Sequence, residues 1–103
     1  MTDAGRIFDA LGDPTRRRVI TELATLGSAS STELARALPI TRQAVSKHLD
    51  ALAEAGLVSA ERSGRAVVYR VTPAPFNDAM SWMTDVGSAW DARLAKLRKQ
   101  VRR

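Results

Sequence analysis

At 103 residues and 45% hydrophobic content, the chain has material for one small domain around a single core. It has no cysteine, which excludes disulfides, thiolate metal sites and thiol redox chemistry together, and no apolar run approaches the length that crosses a bilayer. Its net charge of +5, from 16 basic against 11 acidic residues, favours polyanionic partners, and the opening M-T-D-A-G-R has no export-signal pattern, so a cytoplasmic protein with no membrane partner is expected.

The first predicted element is a short helix from Asp3 to Leu11 carrying Ile7, Phe8 and Leu11. Gly12-Asp13-Pro14-Thr15 interrupts it, with Asp13 placed as the N-cap of a second helix and Pro14 at that helix's first position. This helix runs to about Leu26, buries Val19, Ile20, Leu23 and at its margin Leu26, and stops at Gly27. A third helix follows, capped by Ser30 or Ser31. Glu33 lies three residues after Ser30, the spacing of a capping box, and Pro39 ends the helix.

After a three-residue turn, Thr41 is the N-cap of a fourth helix that closes at Gly56. Val45, Leu49 and Leu52 recur at the spacing of a buried stripe, with Ala44, Ala53 and Leu57 beside it. Its other face offers Arg42, Gln43, Ser46, Lys47 and Asp50, gathered in the leading turns. Two helices joined by so short a turn are the frame of a helix-turn-helix, whose second helix enters the DNA major groove. Arg and Lys donate to guanine, Gln pairs with adenine, and Ser reaches base or phosphate. An ordinary amphipathic helix with a solvated face would carry the same pattern.

Past Gly56 the period changes to alternation. Leu57–Arg62 and Arg65–Val71 flank Ser63-Gly64, which reads as a two-residue hairpin turn. Pairing Arg62 with Arg65 sets Val58 against Tyr69 and Ala60 against Val67, with these four on one face. The tip projects Arg62 and Arg65, suited to phosphate or minor-groove contact, although charges at such a tip also protect a sheet edge from aggregation. Thr72-Pro73-Ala74-Pro75 then opens a last helix. In it Phe76, Met80, Met83, Gly87, Trp90, Leu94, Leu97 and Val101 follow an unbroken alternation of four- and three-residue steps, and Ala79, Trp82, Val86 and Ala89 widen the stripe. A helix of roughly 40 Å is more than so small a domain can cover. Contact with a second copy through Met80, Trp82, Met83, Gly87 and Trp90 is therefore expected; an entirely intrachain core is the alternative. The tail beyond Leu97 is expected to fray.

The segments F-D-A-L-G-D-P-T-R-R-R-V-I-T-E-L (Phe8–Leu23), E-L-A (Glu33–Ala35), T-R-Q-A-V-S-K-H-L-D-A-L-A-E-A-G-L-V (Thr41–Val58) and G-R-A-V-V-Y-R-V (Gly64–Val71) together resemble the ArsR family of small winged-helix transcriptional repressors. The resemblance covers nearly the whole chain in family order. It implies a mainly α winged helix-turn-helix with about five helices and a two-stranded wing, in one domain spanning 1–103. Within it, 1–27 hold the N-terminal helices, 31–56 the helix-turn-helix, 57–71 the wing and 74–103 the dimerisation helix. It further implies a homodimer through the first and last helices, Ile7 and Phe8 included, reading a two-fold symmetric double-stranded DNA operator. The family's base-contacting positions fall on Thr41, Arg42, Gln43, Ser46 and Lys47.

The departures matter as much. Metal-sensing members resemble E-L-C-x-C-D in the third helix, where this chain has Glu33-Leu34-Ala35-Arg36-Ala37-Leu38, so both thiolate positions are alanine. Other members use Asp and His ligands in the last helix, which here has Asp78, Asp85 and Asp91 but no histidine. No metal and no cofactor are expected, because oxygen ligands alone suit transition metals poorly. His48, the single histidine, is expected to pack at the edge of the helix-turn-helix or to bond a neighbouring backbone group. The ending S-A-W-D-A-R-L-A-K-L (Ser88–Leu97) resembles a metal-free branch of the family, which identifies no inducer. Two other readings stay open: a protein–protein adaptor working through the last helix, and a regulator with a small molecule between the last helices. Catalysis is not expected, since the chain lacks a Gly-rich phosphate loop and a paired-carboxylate or nucleophile–base constellation.

Overall fold

A computed structural model of the protein describes residues 4–101; Asp3, expected to begin the first helix, and the last two arginines of the basic tail lie outside the described residues. Local chemistry sets most of the boundaries. Helix α1 (Ala4–Leu11) ends at Gly12, and α2 (Pro14–Leu26) starts where the Asp13 carboxylate accepts the N–H groups of Thr15 at 2.7 Å and Arg16 at 3.3 Å. Gly27, at φ +84°, turns the chain out of α2. Of the two serines available to cap α3 (Ser31–Ala37), Ser30 does so, in a closed capping box: its hydroxyl accepts the Glu33 N–H at 3.2 Å while the Glu33 carboxylate accepts the Ser30 N–H at 3.0 Å. Helix α4 (Arg42–Glu54) is capped by Thr41, whose Oγ1 accepts the Ala44 N–H at 3.1 Å. It ends at Gly56, φ +78°, in a Schellman motif, with Leu57 N–H bonded to Leu52 C=O and Gly56 N–H to Ala53 C=O.

Strands β1 (Val58–Ser63) and β2 (Ala66–Val71) form an antiparallel hairpin, and α5 (Pro73–Val101) runs from it without a break. The hairpin register differs from the sequence expectation by two residues. Ser63 pairs with Ala66, Ala60 with Tyr69 and Val58 with Val71, so the two-residue loop is Gly64-Arg65. The favoured two-residue hairpin turns need positive φ at their first central position. Gly64 meets that need at φ +62°, whereas a Ser63-Gly64 loop would have placed it on Ser63. A shift of two preserves the pleat, so Val58, Ala60, Val67 and Tyr69 still share a face and Val71 joins them.

One core serves all seven elements. Ile7 and Ala10 of α1, Val19, Ile20 and Leu23 of α2, Leu34 of α3, and Val45, Leu49 and Leu52 of α4 meet Leu57, Val58, Ala29 and Ala79. Leu26, expected at the margin of this core, is instead 49% exposed. Ala29, between α2 and α3, exchanges both backbone hydrogen bonds with Tyr69, at 3.1 and 2.8 Å. That bridge ties β2 to the helical layer, which an isolated hairpin needs in order to persist.

Helix α5 sets the outline of the molecule. Its 29 residues span about 43 Å, and the whole measures 69 × 28 × 20 Å. Only Ala79, and partly Phe76, enter the core. The helix stays regular beyond Leu97 to Val101, contrary to the expected fraying; Arg98 and Lys99 in its last turn complement the negative end of the helix dipole. None of the described helices is long and apolar enough to cross a membrane.

Candidate nucleic-acid interface

The site is built on α4. Val45, Leu49 and Leu52 are fully buried and point one face of the helix into the core. This commits the other face outward: Thr41, Arg42, Gln43, Lys47 and Asp50 are exposed, and Ser46 is half-buried. Within the protein the Thr41 hydroxyl oxygen is used as a cap acceptor, which leaves its hydrogen able to donate outward. The flanking α3 holds the turn through Leu34, which is buried, and through Leu38 and Ile40, which pack against the core from the turn itself. The leading end of α4 thus projects polar side chains from a helix capped at both ends and anchored along its length.

The wing lies to one side. Arg65 sits in the hairpin loop and Arg62 pairs with Val67 near the tip; both are exposed, as is Arg70. Arg62 lies on the same face as Val58 and Ala60 but is exposed. Arg62, Arg65, Arg42 and Lys47 place positive charge on both the helix and the wing, an arrangement suited to following a phosphate backbone.

Two carboxylates next to this frame are held in their charged forms. The Thr15 N–H keeps Asp13 below its ordinary value of 3.8, against the opposing effect of desolvation, with help from the Arg16 N–H and the Arg16 charge. His48 is half-buried. The Ser30 N–H, and then the Ser30 hydroxyl, keep Glu33 below its ordinary 4.5.

The residues expected at a subunit seam divide into two groups. Ile7 is 1% exposed and belongs to the protomer's own core, so it is not available to a second copy. The reason is the α1 face on which it sits, with Ala10, against the core; Phe8 points the other way. Phe8 meets Trp82 of α5 edge-on, ring centroids 5.6 Å apart at 60°. Met80, Trp82, Met83 and Trp90 are between 47% and 60% exposed, and Gly87 lies open among them with nothing near its Cα that a side chain would meet. Leu94 and Leu97 extend the same surface. Among the described residues, no three His, Cys, Asp or Glu side chains gather as a metal cage would require.

Two features of this region had almost no sequence signal. The Ala29–Tyr69 bridge was marked only by one small apolar residue between serines. The clustering of Arg6, Asp9, Arg16 and Glu54 beside the far end of α4 had none, since these residues come from three helices.

Comparison with known proteins places this geometry in a family. A helix-turn-helix domain model matches residues 11–59. The chain is 30% identical over 77 residues to the transcriptional repressor SdpR of Bacillus subtilis, covering 75% of this chain and 84% of that protein. An ArsR-like transcriptional regulator from Rhodococcus sp. RHA1 superposes with a TM-score of 0.84 at 38% identity, covering 94% of this chain and 91% of that one. The homodimeric winged helix-turn-helix DNA-binding domain of Mb0332 from Mycobacterium bovis is similar at a TM-score of 0.64 and 27% identity, covering 89% and 82%.

Proposed function

Because the chain belongs to the ArsR family of winged helix-turn-helix transcriptional regulators, we propose that it is a homodimeric repressor that reads a two-fold symmetric operator through α4. It is a regulator of transcription and not an enzyme. The observation that carries the proposal is the leading face of α4. Arg42, Gln43 and Lys47 are exposed on a helix whose opposite face is locked into the core, and Thr41 and Ser46 flank them. In this reading Gln43, Arg42, Ser46 and Lys47 meet base edges or adjacent phosphates, and Thr41 donates to a phosphate. Arg62 and Arg65 bind the backbone or minor groove from the wing. Phosphate contacts supply much of the affinity and base contacts the choice of site.

The homodimer rests on α5. Beyond Ala79 its apolar stripe stays largely exposed within the protomer, and Phe8 and Trp82 begin it where α1 meets α5. Two copies joined there would present two α4 helices to one face of a duplex, about one helical turn apart. The exposed stripe equally suits an adaptor that binds another protein through α5, which would leave the polar face of α4 idle.

Gel shifts on the DNA upstream of the chain's own gene, with salt titration, separate these readings. The regulator reading expects a saturable complex that outcompetes random duplex. It expects Gln43→Ala to lower operator affinity by roughly ten- to a hundredfold with little effect on random DNA, the cost of one lost bidentate base contact. Arg65→Ala should weaken both and reduce the slope of log affinity against log salt by about one. Equal losses on both DNAs for Gln43→Ala would remove its base contact. Weak, salt-labile binding with no preference would favour the adaptor.

A further inference from the structure

Three consecutive arginines, Arg16 to Arg18, stand in the first turns of α2, and the contacts proposed above use none of them. Helical geometry sends them to different sides. Arg16 is half-buried and borders the groove between α1 and the end of α4, whereas Arg17 and Arg18 are exposed. Pro14, Arg17, Arg18 and Thr21 recur at three- and four-residue steps, so they share one stripe of α2. That stripe borders Leu38 and Pro39, in the turn between α3 and α4. Pro39 stands two residues before the Thr41 cap, so at most about 7 Å of chain separates it from the leading end of α4. Through this turn the two arginines adjoin the polar face that α4 presents.

Docking geometry determines what such a stripe meets. The second helix of a helix-turn-helix enters the major groove while the first crosses the backbone. The turn between them then stands at the edge of the groove, over the strand that the first helix crosses. Side chains beside that turn face phosphates rather than base edges. Arg17 spends one of its five N–H donors on the Leu11 carbonyl, which holds it at the α1–α2 corner and leaves the others for a further acceptor. Glu22, the acid of the same stripe, is half-buried and lies a full turn beyond Arg18, away from the start of α2 where the positive charge gathers.

We propose that Arg17 and Arg18 form a third phosphate-binding arm, alongside the leading end of α4 and the wing, and grip the DNA backbone beside the turn at Pro39. The partner is the duplex itself, through two phosphates of the strand that α3 crosses. The arm sets the depth and register of α4 in the groove and carries no base choice, because contacts to phosphate hold no sequence information. It rests on the DNA-binding reading above and adds to it a contact from an element outside the helix-turn-helix.

The test is salt-dependent binding of the full chain to the DNA upstream of its gene and to a random duplex of equal length. Arg18→Gln should lower the slope of log affinity against log salt by about one on both duplexes, and Arg17→Gln combined with Arg18→Gln by about two. At ~0.1 M salt, counterion release alone makes each lost contact worth roughly eightfold in affinity, so the pair should lose roughly sixtyfold. Because Arg17 also binds the end of α1, thermal unfolding accompanies both variants, and Arg18→Gln carries the test where the double variant is destabilised. Neutral methylphosphonate, walked one position at a time along each operator strand, locates the contact: at one position it should weaken the unaltered chain about eightfold and leave Arg18→Gln unaffected. An unchanged slope in Arg18→Gln, a loss on the operator alone, or the absence of such a position would each overturn the proposal. If Arg65→Ala still lowers the slope in that case, the DNA reading stands and only this arm is lost. If the unaltered chain forms no saturable operator complex, both fall.

Discussion

Trp90 offers the sharpest test of the subunit seam. It is 57% exposed in the protomer, with the Arg93 guanidinium 5.9 Å from its ring centroid. A tryptophan has roughly 150–250 Å² to bury, so about 85–140 Å² of it remains for a partner. At about 25 cal/mol per Å², covering that area stabilises by roughly 2–3.5 kcal/mol per protomer, and twice that in a symmetric pair. Association costs and imperfect packing consume part of it, and taking half as realised leaves roughly 2–3.5 kcal/mol per dimer. Trp90→Ala should therefore raise the dimer dissociation constant by roughly 30- to 300-fold, with little effect on the fold of the protomer, whose core does not include it. Sedimentation equilibrium across nanomolar to micromolar protein reads this directly. A wild-type chain that is monomeric at tens of micromolar, or a Trp90→Ala variant dimerising as tightly as wild type, would refute the assignment of this stripe to a second copy.

Other consequences follow from the core and the caps. Leu49→Ala should cost about 2–5 kcal/mol, since its side chain is fully buried at the centre of α4, and thermal or urea denaturation measures it. Thr41→Ala removes the acceptor for Ala44 N–H and should lower stability by about 1 kcal/mol, whereas Thr41→Ser should retain most of it; equal losses would mean that the cap is not the source. Asp13 and Glu33 both titrate below their ordinary values in the folded state, so the unfolded chain binds more protons as pH falls through that range. Their contribution is fully present above about pH 5 and is lost as pH drops through their folded values, so the melting temperature should fall on acidification below about pH 4.5. The Asp13→Asn, Glu33→Gln double variant should show a shallower fall.

Helix ends were legible because their causes lie within four residues. Asp13-Pro14, the Ser30–Glu33 box, Thr41 and Gly56 each satisfy backbone groups of the turn they begin or end, and no distant residue is needed to make them work. The buried stripe of α4 was legible for a related reason: once Val45, Leu49 and Leu52 face inward, helical geometry sends Arg42, Gln43 and Lys47 outward. The hairpin shows where this locality gives out. Alternation identified the strands and their common face, but both candidate loops preserve that alternation, and the sign of φ at the first loop position chose Gly64-Arg65.

Between them, periodicity and caps determined the helices, the hairpin and the outward face of α4 before any contact was known, since each follows from hydrogen bonds and side-chain directions inside one element. Tertiary packing decided what those patterns leave degenerate. It placed Ile7 in the core and Phe8 against Trp82, tied β2 to Ala29, left the apolar residues of α5 beyond Ala79 largely exposed, and brought Arg6, Asp9, Arg16 and Glu54 to one open groove. These outcomes depend on which elements meet and at what angle. Such information is spread over residues far apart in the chain, and only burial of the shared core brings it together.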